Sequence, residues 1–222
     1  MDKNLMDLSD YFNVYVLTLK SWPARRQRFS ERAAELGVTG FTFVEGFDGD
    51  LITPPNWWAK DPRTWACAVA HSNALNYGIM TGNGRPIVII EDDAYLKDNF
   101  VEAVSEVVAY FRDYPGSTIC FLGGKVHWDG TEVSRLIRRD HQIGGGYGYV
   151  VSAQHAGKVS GYMLDDPAYN GAKPSRYGYA CDTKMMQRAK IDRHAVCHPV
   201  CVGHHGGPSV ILKRNRKPLH ID

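Results

Sequence analysis

Apolar and polar positions first sort the chain into alternating strands and helices. Val14-Tyr15-Val16-Leu17-Thr18-Leu19 is a short apolar, β-branched run, the mark of a buried strand. Helical spacing follows from Ala24 to Leu36, with Ser21 placed to cap it, Pro23 in its first turn and Gly37 as its stop. Phe41 to Val44 reads as a second strand closed by Gly46 and Gly49. Three prolines and two tryptophans between Leu51 and Pro62 predict an ordered loop. Arg63 to Met80 is helical, with Ala68, Ser72, Leu75 and Ile79 down one side, and Gly82-Asn83-Gly84 ends it. Pro86 to Ile90 is uniformly apolar and predicts a strand buried on both faces. Further helices are predicted over Asp98–Tyr114, Ala153–Met163 and Cys181–Ala189, and further strands over Thr118–Leu122, Tyr147–Val151 and Ala195–Val202.

This alternation predicts an α/β fold with a mainly parallel central sheet and helices on both faces. No composition shift divides the chain, so one domain is expected over residues 1–212, with a basic tail over 213–222. Composition changes this picture little. At 222 residues, 44% hydrophobic and 23% charged, the chain has the balance of an ordinary globular protein. A formal net charge of +2 is too small to mark a nucleic-acid binder by bulk charge. No apolar run is long enough to span a bilayer, and the acidic, polar start is unlike a secretory signal. Five cysteines, an odd count, favour free thiols and a cytoplasmic setting.

Candidate chemistry begins where the Ile87–Ile90 run meets Glu91-Asp92-Asp93. Carboxylates at the carboxyl end of a parallel strand sit where open α/β sheets bind ligands. Clustered anions repel, and a divalent ion with oxygen ligands, Mg²⁺ or Mn²⁺, relieves that repulsion and can hold a diphosphate. The alternative is a surface turn that caps a helix, the role expected of Asp98.

Four segments together resemble glycosyltransferase family 25, the lipopolysaccharide and collagen type, which has the GT-A fold. They are Val16-Leu17-Thr18-Leu19 followed by Pro23, Arg25-Arg26 and Phe29; Phe43 to Gly49; Ala66 to His71; and Ile87 to Leu96. Their order and spacing carry the resemblance more than any one motif does. Two departures bear on sugar and acceptor identity: Thr18 stands at the family's usual asparagine, and Ala70 at the serine before the helix histidine.

The resemblance implies a UDP-sugar or related donor bound over the first strands at Thr18 and Leu19, its diphosphate on a metal held by Asp93. Glu91 and Asp92 would then bind metal-bound water, ribose or sugar hydroxyls. Arg25 and Arg26 would face the donor or else lie on a solvated helix surface. His71 falls beside Cys67 and Leu75 at helical spacing, which fits a packed side chain as well as a donor-binding one. On the acceptor side, Gly145, Gly146 and Tyr147 lie in a glycine-rich segment whose backbone can approach a sugar closely, or which is a hairpin. Asp182, at the start of a helical stretch, resembles the acidic residue that such enzymes turn toward the acceptor. A carboxylate there would accept the proton of the attacking hydroxyl, whereas the simpler role is a helix N-cap. The ending His204-His205-Gly206-Gly207 resembles the family's late metal-binding histidine, with His204 favoured over His205. A structural zinc site among His194, Cys197, His198, Cys201, His204 and His205 is the weaker reading, since the usual paired two-residue spacings are absent.

The expected function is therefore metal-dependent, inverting transfer of a sugar from a nucleotide donor to an acceptor hydroxyl on a surface polysaccharide. A hydroxymethylated base in phage-type DNA is an alternative acceptor, suggested by the clusters Arg135-Arg138-Arg139 and Lys213-Arg214-Arg216-Lys217. A metal-dependent phosphoesterase or nuclease would use the same acidic triplet but needs further ligands. A non-catalytic carbohydrate-binding module would need no metal–diphosphate site at all.

Overall fold

A computed structural model of the chain describes residues 5–58, 61–127, 131–139, 142–144, 147–165, 185, 194–204, 207–208 and 215–216. An eight-stranded sheet forms its centre, in the order Thr42–Glu45, Asn13–Thr18, Ile87–Glu91, Gly148–Val151, Ile119–Phe121, His194–Cys197, Ile137–Arg139, Thr131–Glu132. Asn13–Thr18 pairs in parallel with Thr42–Glu45 and Ile87–Glu91, and Ile119–Phe121 with His194–Cys197. Gly148–Val151 runs antiparallel between Ile87–Glu91 and Ile119–Phe121, so those two flanking strands share one direction. Six of the eight strands run one way, so the expected mainly parallel sheet is present, with two reversed strands: Gly148–Val151 in its middle and Ile137–Arg139 toward one edge, antiparallel to His194–Cys197 and to Thr131–Glu132. The first reversal has a simple cause. From Phe121 to Gly148 the described chain makes only short strands, two of the main sheet and a ribbon of Lys125–His127 against Gln142–Gly144, and no helix, so Gly148–Val151 returns reversed. A parallel return to the neighbouring position needs a crossover, usually helical, whereas a chain that turns back returns antiparallel.

Side-chain alternation splits the core in two, because successive strand residues face opposite sides. Val14, Val16, Val88 and Ile90 point to one face, packed with Phe29 and Ala33 of α1 (Pro23–Glu35). Tyr15, Leu17, Ile87 and Ile89 point to the other, under Ala68, Ala74 and Leu75 of α2 (Pro62–Thr81). Phe100, Ala103, Val104 and Val107 of α3 (Phe100–Asp113) join the first cluster, and Ala156, Val159 and Met163 of α4 (Ala153–Leu164) the second. The result is a three-layer sandwich whose central strands are apolar on both sides, as the unbroken run at Ile87–Ile90 requires.

Local expectations meet mixed outcomes. Gly37 ends α1 with φ 71°, a left-handed conformation suited to glycine. Ser21 does not cap that helix: Trp22 occupies the cap position with no side-chain bond. α2 is capped instead by Asp61, whose carboxylate accepts from the Arg63 N–H at 2.9 Å. Asp98 is not a cap either; Asn99 precedes α3, and Asp98 pairs with Arg32. The single strand expected over Ala195–Val202 is two, His194–Cys197 in the main sheet and Val202–His204 outside it. Pro199, which carries no N–H for a ladder, lies in the bend between them. Of the helix expected over Cys181–Ala189, Met185 alone falls within the described residues, and it is helical and buried. No helix among the described residues is long and apolar enough to cross a membrane.

Candidate active site

Three parallel strands end side by side, with Leu17 registered against Glu91 and Thr18 against Glu45. Their carboxyl ends floor a cleft lined by Leu17, Thr18, Leu19, Gly46, Glu91, Asp92 and Asp93, with Arg25 of α1 and one side of α2 as its walls. Asp92 and Asp93 form a two-residue turn between Ile87–Glu91 and the short strand Ala94–Leu96. Backbone bonds fix that turn: the Asp92 N–H donates to the Leu17 carbonyl at 2.9 Å, and the Glu91 N–H to the Tyr147 carbonyl at 3.0 Å.

Each carboxylate of the triplet has a different environment. Asp92 is only 6% exposed. It accepts from the Thr18 hydroxyl at 2.9 Å and lies 3.4 Å from the Arg25 guanidinium. Burial pushes its carboxyl above the ordinary value, while Thr18 and Arg25 pull it back and the Asp93 charge raises it. One oxygen of Asp93 is 3.4 Å from Arg25; the other, Oδ1, is buried with no hydrogen-bond partner. A buried carboxylate oxygen without a donor is costly unless something cationic satisfies it. Glu91 reaches the Nε2 of His71 at 3.3 Å, and the Nδ1 of that ring meets the Tyr149 hydroxyl at 2.8 Å.

The helices contribute by face. Arg25 is buried and stacks over Trp22, 4.7 Å from the ring centroid to the guanidinium carbon. Arg26, one residue on, is turned about 100° away, since consecutive helix residues do not share a face. It is exposed, lies over the Phe43 ring at 4.4 Å, and is not among the residues lining the cleft. Along α2, Arg63, Ala66, Cys67, Ala70 and His71 line the cleft in the order helical spacing dictates. Arg63 is held by Asp50 and Asp61 and so ties the loop after Gly46 to the start of α2. That loop comes so close that a Cβ on Gly49 would lie 2.4 Å from the Arg63 Cα.

Of the expected site residues, Thr18, Leu19, Arg25, His71, Glu91, Asp92 and Asp93 meet at one cleft. Tyr147 joins through its carbonyl bond to Glu91. Val202–His204 pairs antiparallel with Ala94–Leu96, and His204 is registered against Ala94, the residue after Asp93. Asp182, His205, Gly145 and Gly146 lie outside the described residues. Of the alternative zinc set, Cys197 and Cys201 have fully buried thiols in no disulfide. Cys197 exchanges hydrogen bonds with Cys120 and Cys201, and both Cys197 and Cys201 are pushed well above the ordinary thiol range. Sequence reasoning missed Arg63, Phe47 and Cys67 as lining residues. For Cys67 the signal was available, one helical turn before His71.

The model of the family described as "Glycosyltransferase family 25 (LPS biosynthesis protein)" matches residues 12–167, the segment that holds the cleft. The chain belongs to glycosyltransferase family 25. A provisionally assigned glycosyltransferase, R655 of Acanthamoeba polyphaga mimivirus, is 24% identical over 170 residues. That match takes in 64% of this chain and 50% of the relative, so the chain spans about half of that protein's length. In fold it is similar to A197 from STIV, with a TM-score of 0.51, 11% identity and 96% of both chains covered. UDP-glucose pyrophosphorylase complexed with UDP-glucose gives a TM-score of 0.42 at 10% identity, over 83% of this chain and 72% of that one.

Proposed function

We propose that this family 25 chain transfers a sugar from a nucleoside diphosphate donor, a UDP-sugar, to a hydroxyl of a surface saccharide such as lipopolysaccharide. The observation that carries the reading is the buried Asp93 Oδ1 at the strand-end cleft, which has no hydrogen-bond partner. A divalent ion suits that oxygen, and Mn²⁺ or Mg²⁺ takes carboxylate donors readily. Asp93 would hold the ion directly, and the register of His204 against Ala94 supports a ligand from that strand, with His205 as its neighbour. Bound there, the ion would supply charge neutralisation for the departing diphosphate.

The remaining residues bind and orient. Thr18 and Leu19 receive the nucleotide at the end of the first strand. Arg25 offsets the carboxylate charge that would otherwise repel a diphosphate, and Glu91 and Asp92 present oxygens to donor hydroxyls. On the acceptor side, the oxygen of the acceptor hydroxyl attacks the anomeric carbon as its bond to phosphate oxygen breaks. The electron pair leaves with the nucleoside diphosphate, and the hydroxyl proton passes to the Asp182 carboxylate. One displacement of this kind inverts the anomeric centre. Gly145, Gly146 and Tyr147 would flank the acceptor. Unjoined neighbouring thiols at Cys120, Cys197 and Cys201 are consistent with a reducing, cytoplasmic setting.

The test compares binding with turnover in one set of proteins. Calorimetry with UDP in Mn²⁺ and in EDTA should show binding that chelation abolishes, and Asp93→Ala should bind no better than wild type in EDTA. Asp182→Asn should keep donor binding while transfer drops on the order of a hundredfold, the usual worth of a general base. Equal UDP affinity with and without chelator would remove the metal role of Asp93. An acceptor panel including hydroxymethylated DNA decides the acceptor, and transfer to DNA alone would overturn the saccharide assignment.

A further inference from the structure

A group of thiol, imidazole and carboxylate lies in the same cleft, beside the acidic turn. Cys67 and His71 are one helical turn apart on the cleft side of α2, and Glu91 ends the adjacent strand. A thiol sulfur, an imidazole nitrogen and a carboxylate oxygen, one from each, lie within 4.8 Å of one another. We propose that these three residues form a site for a thiophilic divalent cation of the Zn²⁺ class, distinct from the oxygen-ligand site expected at Asp93.

The chemistry of the donors separates the two sites. Asp93 offers oxygen, which suits Mg²⁺ and Mn²⁺, whereas a Cys, His, Glu set is the mixed sulfur, nitrogen and oxygen donor group that zinc takes. Bond lengths near 2.0 Å to nitrogen and oxygen and 2.3 Å to sulfur place tetrahedral ligand atoms about 3.3–3.6 Å apart. The His71 Nε2 and Glu91 Oε1 already stand 3.3 Å apart, so only a small movement of the thiol is required. Cys67 is half-buried, in no disulfide and on a cleft wall, so an ion from solvent can reach it.

The far side of the imidazole supports the assignment. A metal-bound histidine usually gives its other ring N–H to an oxygen that fixes its tautomer. Here the His71 Nδ1 lies 2.8 Å from the Tyr149 hydroxyl, which is buried in the sheet. Tyr149 can accept from Nδ1–H when Nε2 holds an ion, and donate to Nδ1 when Nε2–H points to Glu91. A tetrahedral ion held by three residues would keep one position open, and all three line the cleft. An ion held there would compete with the donor for Glu91. Because it rests only on the placement of Cys67, His71 and Glu91, the site would bind zinc whether or not sugar transfer is the activity of the chain, and its test reads metal binding alone.

Cobalt(II) is the probe, because a cobalt–thiolate bond produces a charge-transfer absorption that oxygen and nitrogen ligands do not. Titration of the metal-free chain should produce this band, and Zn²⁺ should bleach it while Mn²⁺ at the same concentration should not. Cys67→Ser should remove the band, Cys201→Ser should retain it, and Tyr149→Phe should weaken Zn²⁺ binding about tenfold. Alkylation of the unmutated chain, mapped by peptide mass, gives a measurement independent of variant folding: Zn²⁺ should protect Cys67 from iodoacetamide. No band in the wild-type chain, a band that survives Cys67→Ser, or Cys67 alkylation unaffected by Zn²⁺ would each overturn the proposal.

Discussion

Replacing Arg25 with methionine keeps most of the apolar stem of the side chain but removes the one cation, among the described residues, that pairs with both Asp92 and Asp93. Each carboxylate lies 3.4 Å from the guanidinium. At an effective dielectric near 20, a pair at that distance is worth about 5 kcal/mol of Coulomb attraction. Desolvation of the ions consumes much of this, yet removing a single partner leaves a buried charge unpaired, which costs about 3–5 kcal/mol. Thr18 still donates to Asp92, and the carboxyl can take up a proton, so a loss of about 2–4 kcal/mol is expected near pH 8. The pH dependence follows from the direction of the Asp92 shift. Burial already raises its carboxyl above the unfolded value of 3.8, and loss of Arg25 raises it further. A folded pKa above the unfolded one means that the penalty is absent below the unfolded value. It accumulates as pH rises from the unfolded value to the folded one, at about 1.4 kcal/mol per pH unit, and is complete above the folded one. Urea unfolding in EDTA, so that no ion replaces the guanidinium, should therefore show Arg25→Met more destabilised relative to wild type at pH 8 than at pH 5. A loss below about 0.5 kcal/mol, or the same loss at both pH values, would refute the reasoning.

Three further outcomes follow from the same geometry. Thr18→Val removes the hydroxyl that donates to buried Asp92 at 2.9 Å and should cost about 1.5–3 kcal/mol in chemical unfolding, whereas Thr18→Ser should cost less than half as much. Gly49→Ala drives a methyl group to 2.4 Å from the Arg63 Cα; a thermal shift equivalent to about 1–3 kcal/mol is expected, together with weaker UDP binding as the cleft loop moves. Of the described cysteines, Cys67 should react with iodoacetamide in the folded chain, and Cys120, Cys197 and Cys201 only after unfolding, when mass measurement should count all five thiols of the sequence alkylated.

Much of the fold was legible because burial leaves a periodic trace. The run Ile87–Ile90 could be solvated on neither face, so a strand covered on both sides was forced by its composition. Glycine at Gly37 and the spacing of Ala68, Ser72 and Leu75 ended one helix and oriented another for the same kind of local reason. Caps were less legible. Ser21 and Asp98 have the right chemistry, but whether a side chain turns back on its own backbone or outward depends on what competes for it, as Arg32 does for Asp98. Strand direction left no trace either. Gly148–Val151 carries the same side-chain pattern whichever way it runs, and it is reversed where the described residues before it make no helical crossover.

The candidate site divides in the same way. Sequence alone put Glu91, Asp92 and Asp93 at the end of a buried strand, since four apolar residues bounded by Pro86 and by charge read as a strand covered on both faces. It also put Cys67 and His71 on one helix face. Only tertiary structure decided which of Arg25 and Arg26 reaches the carboxylates, because the 100° between neighbours acquires meaning only once α1 is docked against the sheet. The pairing of His204 with Ala94, over a hundred residues away, was likewise decided by the packing of Val202–His204 onto Ala94–Leu96. The different states of the three acids were decided there too. Identical carboxylates separate chemically when one is buried against Thr18, one faces His71, and one keeps a buried oxygen with no donor beside it.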